Sequence, residues 1–298
     1  MLKLVPDDLV VPFMSVHKIA FVISVVAVVI SLYTISTQGL NFGIDFAGGI
    51  MIEIQTEEPV DIDKMRATLN NAGLEGSVSL QQFGSPLDLM IRVQEQSGGD
   101  EGQQKAIEKI RETLGSDVNY RRVEFVGPQV GEELIRKGAY AVIGSMVGIL
   151  LYIIFRFQLQ FSLAAITALA HDSILTIGLF SFTQMEFNLS TVAAVLMIAG
   201  YSINDTVVVF DRVRENLRKY TKKPLERLFD ESISSMLSRT ILTSGTTLVA
   251  LIALWIFGGA VIRGFVDALI WGVLIGTYSS VFVATPLLKY YGLQRNEV

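Results

Sequence analysis

Six runs of mostly apolar residues constrain this chain more than any other feature of it. A helix that crosses about 30 Å of hydrocarbon needs roughly 17–25 such residues. The segments Ile19–Ser36, Ala139–Phe155, Ser162–Phe182, Leu189–Phe210, Thr240–Phe257 and Gly264–Leu288 fall in that range. Only 18% of the 298 residues are charged, against about a quarter in soluble domains. The fold class is therefore a polytopic α-helical membrane protein with six transmembrane helices. The first run is long and no small-residue A-x-A site follows it, so it reads as an uncleaved anchor rather than a secretory signal.

Lys and Arg in the short loops set the orientation. The connection between the fourth and fifth runs carries Arg212, Arg214, Arg218, Lys219, Lys222, Lys223, Arg227 and Arg239, and Lys3, Lys18, Arg156, Lys289 and Arg295 fall on the same side. The short loops on the other side hold Arg263 alone. Both termini are therefore expected in the cytoplasm. The expected division is a cytoplasmic N-terminus (1–18), a span (19–36), an extracytoplasmic domain (37–137), a five-helix bundle (138–288) with a cytoplasmic loop (211–239), and a cytoplasmic tail (289–298).

The long outer segment alternates element types. Ile50–Thr56 reads as a strand, Asp61–Ala72 as a helix, Ser77–Phe83 and Leu87–Gln94 as strands, Gln103–Leu114 as a helix and Val118–Phe125 as a strand. The β-α-β-β-α-β order predicts an α+β ferredoxin-like domain, with Asp61 as an N-cap and Ser85-Pro86 as a turn. In the cytoplasmic connection, Leu225, Leu228, Phe229, Ile233, Met236 and Leu237 recur at helical spacing. They suit either an interfacial helix whose basic neighbours touch membrane lipid or a partner-docking helix.

Several chemistries find no support. The net charge of −5 argues against nucleic acid. The chain has no cysteine and two histidines, and no phosphate-binding G-x-x-x-x-G-K-[ST] loop. No metal site, no cofactor and no enzymatic nucleophile–base pair is expected.

What does stand out is polar residues at membrane depth, each of which costs about 2.5–3.5 kcal/mol if ionised there and so needs a reason. They are His171-Asp172 in the third run, Asn204-Asp205 in the fourth, and Arg239 opening the fifth. At 1.5 Å per residue Asp205 lies roughly 9 Å deep and His171 roughly 14 Å deep, with Arg239 able to snorkel inward, so the groups are expected to share one pocket. That pocket suits a proton pathway, in which desolvation and a cationic neighbour compete for the carboxylate. It equally suits a static ion pair that fixes helix register. Arg263 and Asp267 read as a structural i,i+4 pair. Gly144-x-x-x-Gly148 and Gly272-x-x-x-Gly276 read as helix-packing faces, the second extended by Ser279 and Ser280.

Some local strings go beyond generic membrane physics. They are Asn41-Phe42-Gly43-Ile44-Asp45-Phe46-Ala47-Gly48-Gly49, Val126-Gly127-Pro128-Gln129-Val130-Gly131-Glu132-Glu133-Leu134, His171-Asp172, Tyr201 through Asn216, Arg239-Thr240, and Gly276-Thr277-Tyr278-Ser279-Ser280. In this order and across nearly the whole chain they resemble the SecD/SecF family of RND-type membrane proteins.

The resemblance implies one half of a two-times-six-helix bundle, with SecD supplying the other. It implies association with the SecYEG channel and accessory Sec membrane subunits, and an unfolded preprotein as substrate, in the bacterial inner membrane. It implies the proton as coupling ion and a proton pathway through the residues that match Asp205 and Arg239. Gly43, Asp45, Gly48 and Gly49 are then expected to transmit bundle motion to the outer domain; by themselves they read equally as a tight turn into a strand. Two other readings stay open: an RND-type proton-coupled exporter of a small molecule or lipid, and a non-transporting assembly factor.

Overall fold

The computed structural model describes residues 6, 9–76, 78–83, 85–115, 118–259 and 262–293. Lys3, Arg295 and Ser77 lie outside them, as do residues 294–298 of the expected tail.

Six helical segments have the length and apolar character to cross a membrane. They are α1 (Phe13–Thr37), α5 (Pro128–Arg156), α6 (Leu159–Thr183), α7 (Leu189–Lys219), α8 (Leu225–Phe257) and a last span built from α9 (Arg263–Ser279), a π-helical turn (Ser280–Ala284) and α10 (Thr285–Tyr290). Their surroundings divide them. About 61% of the most apolar window is buried in α6 and in the last span, and 50% in α7, against 22% in α1, 17% in α8 and 6% in α5. The chain thus has an inner trio, α6, α7 and α9, and three helices that present apolar side chains outward. On α5 these include Tyr140, Ile143, Val147 and Leu151.

Close approach in the trio depends on two small residues. A Cβ placed on Gly276 meets Ser202 at 3.1 Å, and one on Gly272 runs into Ile198, so α7 and α9 touch along this stripe because glycine stands there. Gly144 and Gly148 behave differently. A Cβ on either meets nothing, because both lie on the exposed side of α5, and the packing face expected there has no counterpart within this chain.

Between α1 and α5 lies the α+β unit. Two short pieces come first, β1 (Asn41–Phe42) and α2 (Ile44–Ala47). Then follow β2 (Gly49–Thr56), α3 (Ile62–Asn70), β3 (Val78–Phe83), β4 (Ser85–Val93), α4 (Gly99–Leu114) and β5 (Val118–Val126). The sheet order β3-β4-β2-β5, antiparallel at every pairing, is that of a ferredoxin-like sandwich. Its core is aliphatic: Ile50, Ile52, Ile54, Leu89 and Ile91 from the sheet meet Leu69, Ala106 and Ile110 from the two helices. Asp61 caps α3 by accepting hydrogen bonds from the Asp63 and Lys64 backbone amides at 3.1 and 3.2 Å. Those amides, the Lys64 one foremost, hold its carboxyl below the usual carboxylate range. Ser85-Pro86 is the start of β4 rather than a separate turn, a place where a strand tolerates proline. Ser85 Oγ there accepts from the Leu87 amide and donates to Asp88.

Residues 225–237 are neither an interfacial helix nor a free docking helix. They are the first turns of α8, continuous with the fifth span. Leu228, Phe229 and Ile233 are buried against Met14, Val213, Leu217 and Leu288, closing one end of the bundle. Asp230 and Ser234 accept the Met14 and Val11 amides at 2.8 and 3.0 Å, which ties the start of α1 to the same end.

Candidate functional site

The inner trio buries two carboxylates. Asp172, on α6, is fully buried. Its Oδ2 accepts from Ser202 Oγ of α7 at 2.5 Å and from Ser279 Oγ of α9 at 2.7 Å, and its Oδ1 faces His171 Nδ1 at 2.9 Å. Asp205, on α7, is 8% exposed. Its Oδ1 accepts from Thr240 Oγ1 of α8 at 2.8 Å and its Oδ2 from Ser280 Oγ at 2.7 Å. Each carboxylate is therefore held across helices, at membrane depth, chiefly by neutral hydroxyls.

Why consecutive serines serve two different helices follows from where they stand. Ser279 is the last residue of α9 and Ser280 the first of the π-turn. Neighbours on a helix point about 100° apart, so one turns toward α6 and the other toward α7. Each hydroxyl also has a second acceptor within reach, Gly276 O for Ser279 and Thr277 O for Ser280. Polar contacts continue outward from there. Tyr278 stacks on His171 at 6.3 Å between ring centroids, and its hydroxyl meets Ser24 Oγ of α1 at 3.0 Å. Ser244 of α8 meets Thr277 Oγ1 at 2.7 Å.

The expected single pocket does not form as drawn. His171, Asp172 and Asp205 join one connected cluster; Arg239 and Asn204 do not. Both are exposed, and no ion pair links Arg239 to Asp205 among the described residues. Thr240, one residue along α8, holds Asp205 instead, because a rotation of about 100° aims Arg239 away from it. The static Asp–Arg pair is thus absent from this conformation. Arg263 and Asp267 also do not pair with each other. Arg263 stacks over the Trp255 ring at 3.5 Å and donates to Trp255 O, while Asp267 accepts from Trp255 Nε1 at 2.8 Å. The hydroxyl partners Ser202, Thr240, Ser279 and Ser280 stood in the sequence within the family-like strings, Ser279 and Ser280 also as part of a packing face, with no sign that they would hold the carboxylates.

The glycine segment has its own geometry. Gly48 and Gly49 take positive φ (71° and 109°) to turn α2 into β2, and a Cβ on Gly49 would meet Val93 O at 2.5 Å. Upstream, β1 pairs in parallel with β6 (Glu186–Phe187), the short link between α6 and α7. Gly43 N donates to Phe187 O at 2.9 Å, and Asp45 Oδ2 accepts the Leu189 amide at 2.8 Å. Asp45 therefore places negative charge at the N-terminus of α7, where the helix dipole favours it. The sheet adds a further tie, the ion pair of Arg92 on β4 with Glu186. The entry to the α+β unit is thus fastened to the end of the helix that carries Asp205.

Comparison with known proteins follows this architecture closely. Residues 106–294 match the family model described as protein export membrane protein SecD/SecF, C-terminal, and residues 33–60 match the SecD/SecF GG motif. Protein translocase subunit SecF of Vibrio alginolyticus is 44% identical over 301 residues, covering 100% of this chain and 95% of its own. Its counterpart in Rickettsia felis is 47% identical, covering 97% and 94%. The crystal structure of SecDF, a translocon-associated membrane protein from Thermus thermophilus, superposes with a TM-score of 0.87 at 34% identity. It covers 96% of this chain, which spans 39% of that longer one. A second SecDF structure, in a super-membrane-facing form, gives 0.71 at 33% identity over 95% of this chain and 39% of its own. The family is one of export membrane proteins rather than enzymes. The chain belongs to the SecD/SecF family of protein export membrane proteins.

Proposed function

We propose that this chain is a SecF-type subunit of the bacterial inner-membrane protein export machinery. In this reading it works with SecD and the SecYEG channel, together with accessory Sec membrane subunits, to draw unfolded preprotein outward at the expense of the proton gradient. Its termini lie in the cytoplasm and its α+β domain outside, as the distribution of Lys and Arg requires. The proton is the coupling ion, and no other cofactor takes part.

The observation that carries the reading is Asp205 held by two neutral hydroxyls inside a membrane-spanning bundle. A carboxylate so placed takes and releases a proton without breaking a salt bridge. Transfer of one charge through 100 mV supplies about 2.3 kcal/mol, enough to change a two-state population ratio by roughly fifty-fold. His171 and Asp172 belong to the same pathway through the serine contacts.

Arg239 and Asn204 supply the argument for a partner. An exposed guanidinium and an exposed amide on the α7–α8 face would meet lipid if the chain stood alone, which is costly at membrane depth. A second six-helix half covering that face shields both residues from lipid, and SecD is the partner of that architecture. Gly43, Asp45, Gly48 and Gly49 then form the link by which α7 moves the outer domain. The two SecDF structures fit this chain with TM-scores of 0.87 and 0.71 at nearly equal identity, which supports a fold with more than one arrangement.

The test is gradient-stimulated preprotein export in membrane vesicles carrying the assembled complex, wild type against Asp205→Asn. At least a tenfold loss of the gradient-dependent part is expected, with ATP-driven translocation intact. Undiminished gradient stimulation would exclude Asp205 from proton coupling.

A further inference from the structure

His171 carries an atom that the packing leaves unused. The ring is 7% exposed, and among the described residues its Nε2 has no hydrogen-bond partner. Buried nitrogens are nearly always paired, and the contacts of the neighbouring Asp172 show why this one stands open. Asp172 receives the Ser202 and Ser279 hydroxyls on Oδ2 and faces His171 Nδ1 with Oδ1. With Asp172 ionised, its carboxylate accepts from every one of these groups, and Nδ1 is then the protonated ring nitrogen. In a neutral imidazole the other nitrogen is then a bare acceptor. Nε2 is thus a lone pair oriented by a carboxylate and shielded from water.

We propose that His171 Nε2 is a second proton-binding site of the bundle, oriented by Asp172 and coupled to Asp205 through the consecutive hydroxyls of Ser279 and Ser280. The proposal rests on the proton-coupled reading above and names a site within it. The step balances simply. Nε2 accepts a proton, the ring becomes imidazolium, and its charge is compensated by Asp172 across the Nδ1–H contact; release reverses this.

Coupling follows because each serine owns a single proton and two acceptors. When Asp205 becomes protonated, Ser280 is free to donate to Thr277 O instead. When His171 becomes imidazolium and draws on the Asp172 carboxylate, Ser279 has the same choice with Gly276 O. The two serines adjoin at the junction of an α-helix and a π-turn, where a shift of one displaces the other; π-turns recur at functional sites.

The groups that bear on His171 are few. Asp172 lies on its own helix, Tyr278 stacks from α9, and Asp205 on α7 acts through the serines. α1 contributes Ser24, bonded to Tyr278, while its titratable residue His17 bonds Tyr290.

The chain has two histidines, so imidazole nitrogen-15 NMR of the full-length protein in lipid, labelled at histidine, resolves each of them. The expected result is that one resonance, absent in His171→Asn, reports reversible protonation at Nε2 as the pH is lowered. Its midpoint should move by about one pH unit in Asp205→Asn, the size at which two sites are coupled. Ser280→Ala should abolish most of that displacement, while the His17 resonance stays put. His171→Asn keeps a donor for Asp172, and its thermal stability serves as the check on folding.

A resonance that never protonates, or a midpoint identical in Asp205→Asn, overturns the proposal. Vesicle export separates the two levels. If Asp205→Asn abolishes gradient stimulation while His171→Asn retains it, the second site is wrong and the proton-coupled reading stands. If Asp205→Asn retains it, the reading fails first.

Discussion

The α+β domain and the inner trio of the bundle are built on opposite plans. In the domain, apolar side chains face inward: Ile50, Ile52, Ile54, Leu89 and Ile91 are sealed, and most charged groups ring the outside. In the trio the buried inventory includes Asp172, Asp205, Ser202 and Ser279, joined by Ser280 of the π-turn and Thr240 of α8, while Val22, Ile23, Ile143 and Val147 on the outer helices are exposed. The solvent explains the inversion. Water rewards burial of apolar area by about 25 cal/mol per Å², but lipid does not distinguish a leucine inside from one outside. Packing and polar contacts hold the bundle, and those contacts centre on the carboxylates proposed above to handle the proton. On that proposal stability and function draw on different residues in the domain and on the same residues in the bundle.

The comparison breaks most readily at Ile52. Ile52→Ala should cost the domain about 3 kcal/mol, seen as faster proteolysis within residues 49–126, with the helical signal of the bundle unchanged. If the bundle melts with the domain, the two are a single cooperative unit and the contrast is void. A smaller effect is expected from Ser202→Ala, which keeps the Cβ seated against Gly276 and removes one of the two hydroxyls on Asp172 Oδ2. About 1 kcal/mol of bundle stability should be lost, measurable by thermal unfolding in detergent, together with altered gradient stimulation. Loss of stability with export wholly normal would show that the buried hydroxyls only hold the helices.

The smallest effect concerns Glu53, an acidic residue that the domain buries. Burial raises Glu53 above the usual carboxylate range, with Arg122 at 3.8 Å opposing it. The folded domain thus binds this proton more readily than the unfolded chain. Its stability falls as pH rises from the ordinary glutamate range through the raised value. Glu53→Gln should remove that slope, leaving the variant domain the more stable above the window and equal to wild type below it. A melting temperature that rises with pH in wild type alone would reverse the sign and the argument.

The spans and the sheet were legible in the sequence because both are one-dimensional signals. A run of 20 apolar residues, or an alternation bounded by Asp61 and Ser85-Pro86, needs no partner to be recognised. Relative height along the helices was legible too: 1.5 Å per residue sets His171 and Asp205 within a turn of each other, and the adjacent Ser279 and Ser280 reach Asp172 and Asp205. Azimuth was not. Whether Arg239 or Thr240 meets Asp205 depends on the rotation of α8 against α7, and a one-residue difference swings a side chain by about 100°. Serine and threonine were ambiguous for a related reason. Thr167, Thr243 and Thr246 return their hydroxyls to their own helices, so nothing short of the packed trio distinguishes them from Ser202 or Ser280. The fate of residues 225–237 turned on whether a helix stops or continues, and no proline lies between Leu225 and Phe257 to stop it, while the lone Gly245 is tolerated.

Asp45 at the tip of α7 has a mechanical consequence. The helix is a rod of 31 residues, and Asp205 sits about 24 Å along it from the capped end. If contacts at Asp205 act as the fulcrum, a tilt of about 5° sweeps the capped end through about 2 Å. On that geometry a difference of one hydrogen bond at the carboxylate would become a displacement at the Asp45 and Gly43 tethers, which join α7 to the base of the sheet.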